Sequence, residues 1–476
     1  MAKNLTFSIF LFLLLFIWSC APTAVNFRPY APSNPIPEDG ATDVSINTTL
    51  SWSCDDPDGD TLIYDVYFGT SPSPSLVKSD STSTTYDPGT LDYGTTYYWK
   101  IIARDGKGGI TEGPVWSFTT ERITGSLHIE SSYLLTDNFP DNTGPIYSSP
   151  GVSPNGWIYV GGQTNLYRLN VSNCFFCLTP SSSPILSSPV FDISSKLLYV
   201  GTNNGDLIIW DTENFNFYTQ KHVSSCAIYT APLIIGNNVY VVDACGILRC
   251  LDLNGNNIWS KAITEYDVRA SPVTDSQYIY VADTGGNIYS VTLSGEVVWS
   301  YSSGDRFIGS FAIDKSGNLY IAGEKLWSFT REGFLRWYRD LDSQAYSNPV
   351  ISKNGVVYIG TSRSVLYAID SSNGNVVWTN YLGEGIFSSC VIGDNEVIYG
   401  AIGRYLYAIK PCDGTPIDFV ELESYVESNP VLYNSYICIG DASGRFYFIK
   451  SLSDTISDPI TSWPMFQKDT YHTGTR

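Results

Sequence analysis

VVYIGTSRSVLYAIDSSNGNVVW, running from Val356 to Trp378, decides the architecture of most of this chain. It opens on the apolar run Val356 to Gly360, breaks at Thr361 to Ser364, resumes from Val365 to Asp370, turns through Gly374 and ends at Trp378. Short runs of β-branched and aromatic residues, bounded by Gly, Ser and Asn, read as strands separated by tight turns. The pattern recurs. Tyr358 belongs to a column with Tyr159, Tyr199, Tyr240, Tyr280, Tyr320 and Tyr399, with Cys438 in the eighth place, and neighbours lie 38 to 41 residues apart. A second column holds Pro150, Pro189, Pro232, Pro272, Pro349 and Pro430, with Phe311 and Cys390 in the two remaining places. A third is the strand seen at Leu166 to Asn170, Leu366 to Asp370 and Leu406 to Lys410, and Trp259, Trp299, Trp337 and Trp378 close four of the repeats.

Four short antiparallel strands in about 40 residues make one blade of a β-propeller. A helical solenoid of similar period would show apolar spacing of 3.6, and none is present. The eight registers therefore predict an all-β fold with an eight-bladed propeller over residues 121–476. Ser126 to Leu135 reads as a strand with no inner strands of its own, and it is predicted to form the outermost strand of the last blade. Residues 451–476 are the rival for that place.

Composition agrees. The 476 residues suit two to four folding units. Apolar residues reach 43% and charged ones only 16%, while 12 Trp, 34 Tyr and 22 Phe favour strands. A net charge of −20 repels phosphate backbones, so nucleic acid is excluded as a partner. The three histidines, His128, His222 and His472, are far apart, and no H-E-x-x-H, G-x-S-x-G or G-x-x-x-x-G-K motif occurs.

The N-terminus carries Lys3, then the apolar run Phe7 to Trp18, too short for a comfortable membrane span. It ends Ile17-Trp18-Ser19-Cys20, which resembles a bacterial lipoprotein signal. That resemblance implies a signal peptide over 1–19, cleavage before Cys20 and a lipid on its thiol, anchoring an exported protein without a transmembrane helix. Residues 20–37, with Pro22, Pro29, Pro32, Pro35 and Pro37, read as an extended tether. Outside the cytoplasm the remaining cysteines can pair. Cys174-x-x-Cys177 is open to three readings: a redox pair, half a zinc site or a local disulfide.

Between these parts, residues 38–120 show four alternating runs: Thr49 to Ser53, Leu62 to Phe68, Tyr97 to Ala103 and Val115 to Thr119. Leu91-x-x-Gly94-Thr95-x-Tyr97 resembles the tyrosine-corner stretch of fibronectin type III domains, with Trp52 at their core position. The resemblance implies a small β-sandwich. Asp55, Asp56, Asp58 and Asp60 crowd around Gly59; they suit either an Asp-rich turn or a weak Ca²⁺ loop, and no metal role is assigned to them.

Ala368-Ile369-Asp370, followed by Gly374 and Trp378, resembles the repeat of PQQ-like (quinoprotein-like) β-propellers. Trp463-Pro464-Met465-Phe466-Gln467, with Asp469, resembles a segment near the ends of such propellers. The resemblance implies that the Trp docks between blades and the Gly turns the chain. Its enzymes hold a quinone with Ca²⁺, a catalytic Asp and commonly a disulfide between adjacent cysteines. This chain has no adjacent cysteines and no long insertions between repeats. No catalytic residue and no cofactor is therefore assigned. A PQQ-dependent oxidoreductase is the alternative to a non-catalytic lipoprotein that binds envelope proteins or glycans, in outer-membrane protein assembly or adhesion, facing the periplasm or cell surface.

One column offers a binding site. Three residues before each Pro-column position stand Tyr147, Leu186, Tyr229, Arg269, Ile308, Tyr346, Phe387 and Glu427. They are expected at one mouth of the axial channel, with Arg269 and Glu427 opposed four repeats apart. Tyr147, Tyr229, Arg269, Tyr346, Phe387 and Glu427 are the expected partner-binding residues. The competing expectation is that these side chains merely plug the channel.

Overall fold

The computed structural model describes residues 25–122, 125–135, 144–163, 165–177, 183–214, 216–453 and 465, 468 and 469. Regular structure among them is entirely β-strand. The chain divides into two compact units, one up to Arg122 and one from Ile123.

In the first unit, Ser33–Ile36, Leu50–Ser53 and Thr85–Tyr86 form a three-stranded sheet. The second sheet runs Ala41–Val44, Trp116–Thr120, Thr96–Arg104, Ile63–Gly69 and Ser75–Ser81, with Ile110–Glu112 added beside Thr96–Arg104. Alternation along Thr96–Arg104 points Tyr97, Trp99, Ile101 and Ala103 into one core with Trp52, Tyr64 and Phe118. Tyr97 ends its buried ring on a hydrogen bond, its hydroxyl accepting from the Asp92 N–H at 3.0 Å. The tether expected over 20–37 is corrected. Ser33–Ile36 pairs with Leu50–Ser53, the Tyr30 N–H donates to the Asp55 carbonyl at 2.9 Å, and Asn26 donates to Asp105 at 2.8 Å. Prolines suit this edge position because an edge strand leaves part of its N–H row unpaired anyway.

In the second unit the described residues form eight four-stranded antiparallel sheets. Sheets one to seven take consecutive strands from 151–177, 190–222, 233–262, 273–302, 312–340, 350–381 and 391–421. Sheet eight combines Val431–Tyr433, Tyr436–Gly440 and Arg445–Lys450 with His128–Leu134, which pairs with Arg445–Lys450. The strand expected at 126–135 thus occupies the outer edge of the last sheet, ahead of its C-terminal rival.

The sequence columns explain how the sheets stack. Tyr159, Tyr199, Tyr240, Tyr280, Tyr320 and Tyr399 are almost wholly buried. A buried phenol needs a hydrogen-bond partner. Tyr199 and Tyr240 reach the next sheet, donating to the carbonyls of Leu253 at 2.9 Å and Leu293 at 3.2 Å. The Trp column does the same from the outer strand: Trp299, Trp337 and Trp378 donate through Nε1 to Arg331, Ser371 and Pro411. Each indole lies flat against the Gly turn of the following sheet. A Cβ on Gly333, Gly374 or Gly414 would stand 2.5 to 2.7 Å from Trp299, Trp337 or Trp378, and all three glycines have positive φ. No helix among the described residues is long and apolar enough to cross a membrane.

Candidate functional site: the mouth of the ring of sheets

An extended segment precedes each innermost strand, and its residues alternate in direction. Ile146, Ile185, Ile228, Val268, Phe307, Ala345, Ile386 and Val426 turn into the core and are at most 2% exposed. The next residue in each segment turns the other way. Tyr147, Leu186, Tyr229, Arg269, Ile308, Tyr346, Phe387 and Glu427 all line one concave cavity of about 140 Å³. All six expected partner-binding residues are brought together there.

Beneath them runs a circuit of hydrogen bonds made by the residues just before the Pro column. The Ser149 N–H donates to Ser188 Oγ at 3.0 Å, Ala231 to Ser271 at 2.9 Å, and Ser271 to Ser310 at 2.8 Å. Ser310 donates to Asn348 Oδ1, Asn348 to Ser389 Oγ at 2.7 Å, and Ser389 to Asn429 Oδ1 at 2.7 Å. Asn429 returns to Ser149 Oγ at 3.2 Å. At Ala231 no side-chain oxygen exists to receive Ser188, and the circuit has a gap there; Ser187 Oγ still reaches the Thr230 carbonyl at 3.0 Å, as Ser148 Oγ reaches the Ser187 carbonyl at 3.1 Å. Sequence reasoning missed this Ser and Asn column, because its side chains serve backbone N–H groups of the adjacent sheet, 38 to 41 residues away or, for Ser149, 280.

The mouth is amphipathic. Tyr346 and Phe387 pack with ring centroids 5.5 Å apart. Arg269 lays its guanidinium 4.1 Å over the Tyr229 ring and pairs through Nε with Asp267 at 2.6 Å. It is thus held on its own side of the mouth, not extended towards Glu427. Glu427 stands in the concavity with its carboxyl pushed above the usual range by desolvation. The Tyr147 phenol is raised too, by burial first and then by the Glu427 and Tyr425 charges. Tyr147 and Phe387 remain about 40% exposed, which leaves ring surface free for contact.

The family model described as outer membrane protein assembly factor BamB matches residues 179–380 and 318–453. The chain belongs to this family. BamB from Yersinia pestis is 30% identical over 144 residues, covering 28% of this chain and 37% of that protein, so the match spans little more than a third of that relative. BamB from Moraxella catarrhalis shares the fold with a TM-score of 0.57 at 17% identity, over 68% of this chain and 99% of that one. Sqt1 from Saccharomyces cerevisiae has a TM-score of 0.56 at 13% identity, over 65% of this chain and 96% of its own. The C-terminal WD40 domain of Sif2 has a TM-score of 0.55 at 9% identity, over 68% of this chain and 98% of its own, and these BamB and WD40 neighbours make the second unit propeller-like.

The mouth does not fit a bound quinone with its divalent cation. Glu427 is the one carboxylate among the described residues that line it, and about 140 Å³ is small beside the 300 Å³ or more of ordinary ligand pockets.

The other expected positions are dispersed. Cys20 and most of the Trp463 to Asp469 segment lie outside the described residues. Cys174–Cys177 is the fourth strand of sheet one. Cys226 and Cys245 are disulfide-bonded, a pairing no spacing rule indicated. In the first unit, carboxylate oxygens of Asp56 and Asp60 meet Asp105 within 4.8 Å, whereas Asp58 accepts the Phe27 N–H at 2.6 Å. Lys107 Nζ lies 2.5 Å from Asp60, so this cluster already carries its own cation.

Proposed function

We propose that the chain is an exported, lipid-anchored and non-catalytic scaffold of the cell envelope. In this reading the eight sheets are the blades of one propeller, the first unit is a fibronectin type III-like sandwich, and Cys20 carries the lipid. The channel mouth grips a segment of an envelope protein. The observation that carries the reading is the convergence of Tyr147, Tyr229, Arg269, Tyr346, Phe387 and Glu427 on one cavity. Aromatic and Arg side chains dominate contact energy at protein interfaces. The printed name of the relatives, outer membrane protein assembly factor, supports a partner from that process.

Affinity capture from detergent-solubilised envelopes tests it. The Tyr346→Ala, Phe387→Ala double variant should lose captured protein by about tenfold or more, since two central aromatics are removed. Its melting temperature should stay near that of the parent. Undiminished capture would remove the mouth as the binding site. Replacing Cys20 by Ser should release the protein from membranes, and retention there would remove the lipid anchor.

A further inference from the structure

Sheet eight departs from its counterparts where the others carry the buried Tyr. In sheets three to six that Tyr packs against the outer-strand Trp: Tyr240–Trp259, Tyr280–Trp299, Tyr320–Trp337 and Tyr358–Trp378 have ring centroids 5.8 to 6.1 Å apart. The strand register fixes the equivalents in sheet eight. Tyr358 stands opposite Ala368, which stands opposite Trp378. Likewise Cys438 stands opposite Phe448, which stands opposite Ser131. Ser131 keeps the polar half of the Trp role. Its Oγ donates to the Val171 carbonyl at 2.7 Å, as Trp337 Nε1 donates to Ser371 at 3.2 Å and Trp378 Nε1 to Pro411 at 2.8 Å. Both rings are missing, although each aromatic ordinarily buries about 150–250 Å².

The vacated space is a cavity. Between sheets eight and one it measures about 300 Å³, with walls that include Ile158, Val171, Tyr436, Cys438 and Phe448, and with Asn170 and Asn173 among its polar groups. The corresponding groove between sheets five and six is about 210 Å³ and is lined by turn residues such as Asp314, Gly355 and Ser371. There Tyr320 already spans the gap, its hydroxyl bonding Asp314 Oδ2 at 2.7 Å and the Ser371 carbonyl at 3.1 Å. Phe448, in the place of the small Ala368, restores part of the lost volume from the neighbouring strand, Tyr133 sets its ring 6.3 Å from Phe448 and donates its hydroxyl to the Val171 carbonyl at 2.9 Å, and the rest stays open.

We propose that this cavity binds a phenol ring, supplied either by a free small molecule or by a Tyr side chain of a peptide. The chain itself places a phenol at all seven equivalent positions. Apolar walls from Ile158, Val171 and Phe448 accept the ring, and the Asn170 to Asn173 turn offers partners to its hydroxyl. The turn already bonds to itself, Asn170 Oδ1 accepting from the Ser172 and Asn173 N–H groups at 2.9 and 2.8 Å, so a phenol hydroxyl would add one hydrogen bond that an aliphatic ligand cannot make.

The test uses the full chain. p-Cresol titrated calorimetrically should bind saturably, and toluene, which lacks the hydroxyl, should bind about tenfold more weakly or worse. 4-Bromophenol soaked into crystals should give an anomalous peak over Cys438. The Cys438→Tyr, Phe448→Ala double variant, which rebuilds the Tyr358 and Ala368 arrangement, should abolish p-cresol binding while remaining folded. If that variant does not fold, the bromine position in the parent protein decides. Absence of saturable binding, a bromine peak elsewhere, equal binding of toluene or undiminished binding by the folded variant overturns the proposal. Acetyl-Gly-Tyr-Gly-amide binding tighter than p-cresol assigns the site to peptides, and weaker binding assigns it to free phenols.

Discussion

The backbone N–H of Asn429 donates to Oγ of Ser149 at 3.2 Å, and its side-chain Nδ2 reaches the same oxygen at 2.8 Å, across 280 residues of chain. This pair joins sheet eight to sheet one in the inner circuit. Replacing Ser149 by Ala leaves two partly buried donors of Asn429 without their acceptor, at a cost of about 1 kcal/mol or more. Urea unfolding should show that loss with an unchanged slope. A loss below a few tenths of a kcal/mol would mean that closure rests on the His128–Leu134 strand alone.

The gap at Ala231 predicts the opposite effect. Ala231 is buried, and a hydroxyl there would meet the Ser188 N–H as Ser271 Oγ meets Ala231. Ala231→Ser should raise stability by about 0.5–1.5 kcal/mol, the net worth of one hydrogen bond. A destabilised variant would show that the site lacks room for the oxygen.

The indole–glycine contacts predict a graded series. Gly374 has φ +74°, and an added Cβ would lie 2.7 Å from Trp337; Gly383 has φ +94° with open space around it. Gly383→Ala meets backbone strain alone, about 1 kcal/mol, whereas Gly374→Ala adds overpacking of about 1–3 kcal/mol. Chemical denaturation of the two variants should rank them in that order. Equal losses would mean that Trp337 yields freely.

The Cys226–Cys245 disulfide closes a loop with a sequence separation of 19, tying the segment before sheet three to the turn between its second and third strands. A loop of this size constrains the unfolded chain by about 3 kcal/mol. Serine at both positions should lower the melting temperature by several degrees, and reductant should then have no further effect at this site.

Glu427 supplies a pH dependence. Desolvation raises its carboxyl above the unfolded value, so the folded state favours the protonated form. Its relative stabilisation is fully present below the unfolded carboxylate value and is lost as pH rises through the raised one. Glu427→Gln should therefore be more stable than the parent at pH 7 and indistinguishable from it near pH 3. The reverse order at neutral pH would mean that the charge is usefully paired in the folded protein.

Much of this was legible in the chain. The Tyr and Pro columns, the Trp of four repeats and the edge strand near 126–135 all follow from local pattern, because strand alternation and turn chemistry act over a few residues. The convergence of Tyr147 through Glu427 on one mouth followed from their common offset to the Pro column. What sequence alone left undecided depends on groups distant along the chain. Asn26 and Tyr30 bind the first unit, shortening the expected tether, because partners at Asp105 and Asp55 are available only once that unit folds. Arg269 turns to Tyr229 and Asp267 because those groups are close enough to hold it. The Ser and Asn circuit, the Cys226–Cys245 pair and the cavity beside Cys438 exist only where sheets meet. Composition and period determined that strands would form and repeat; packing between sheets decided which polar groups were satisfied and where space was left.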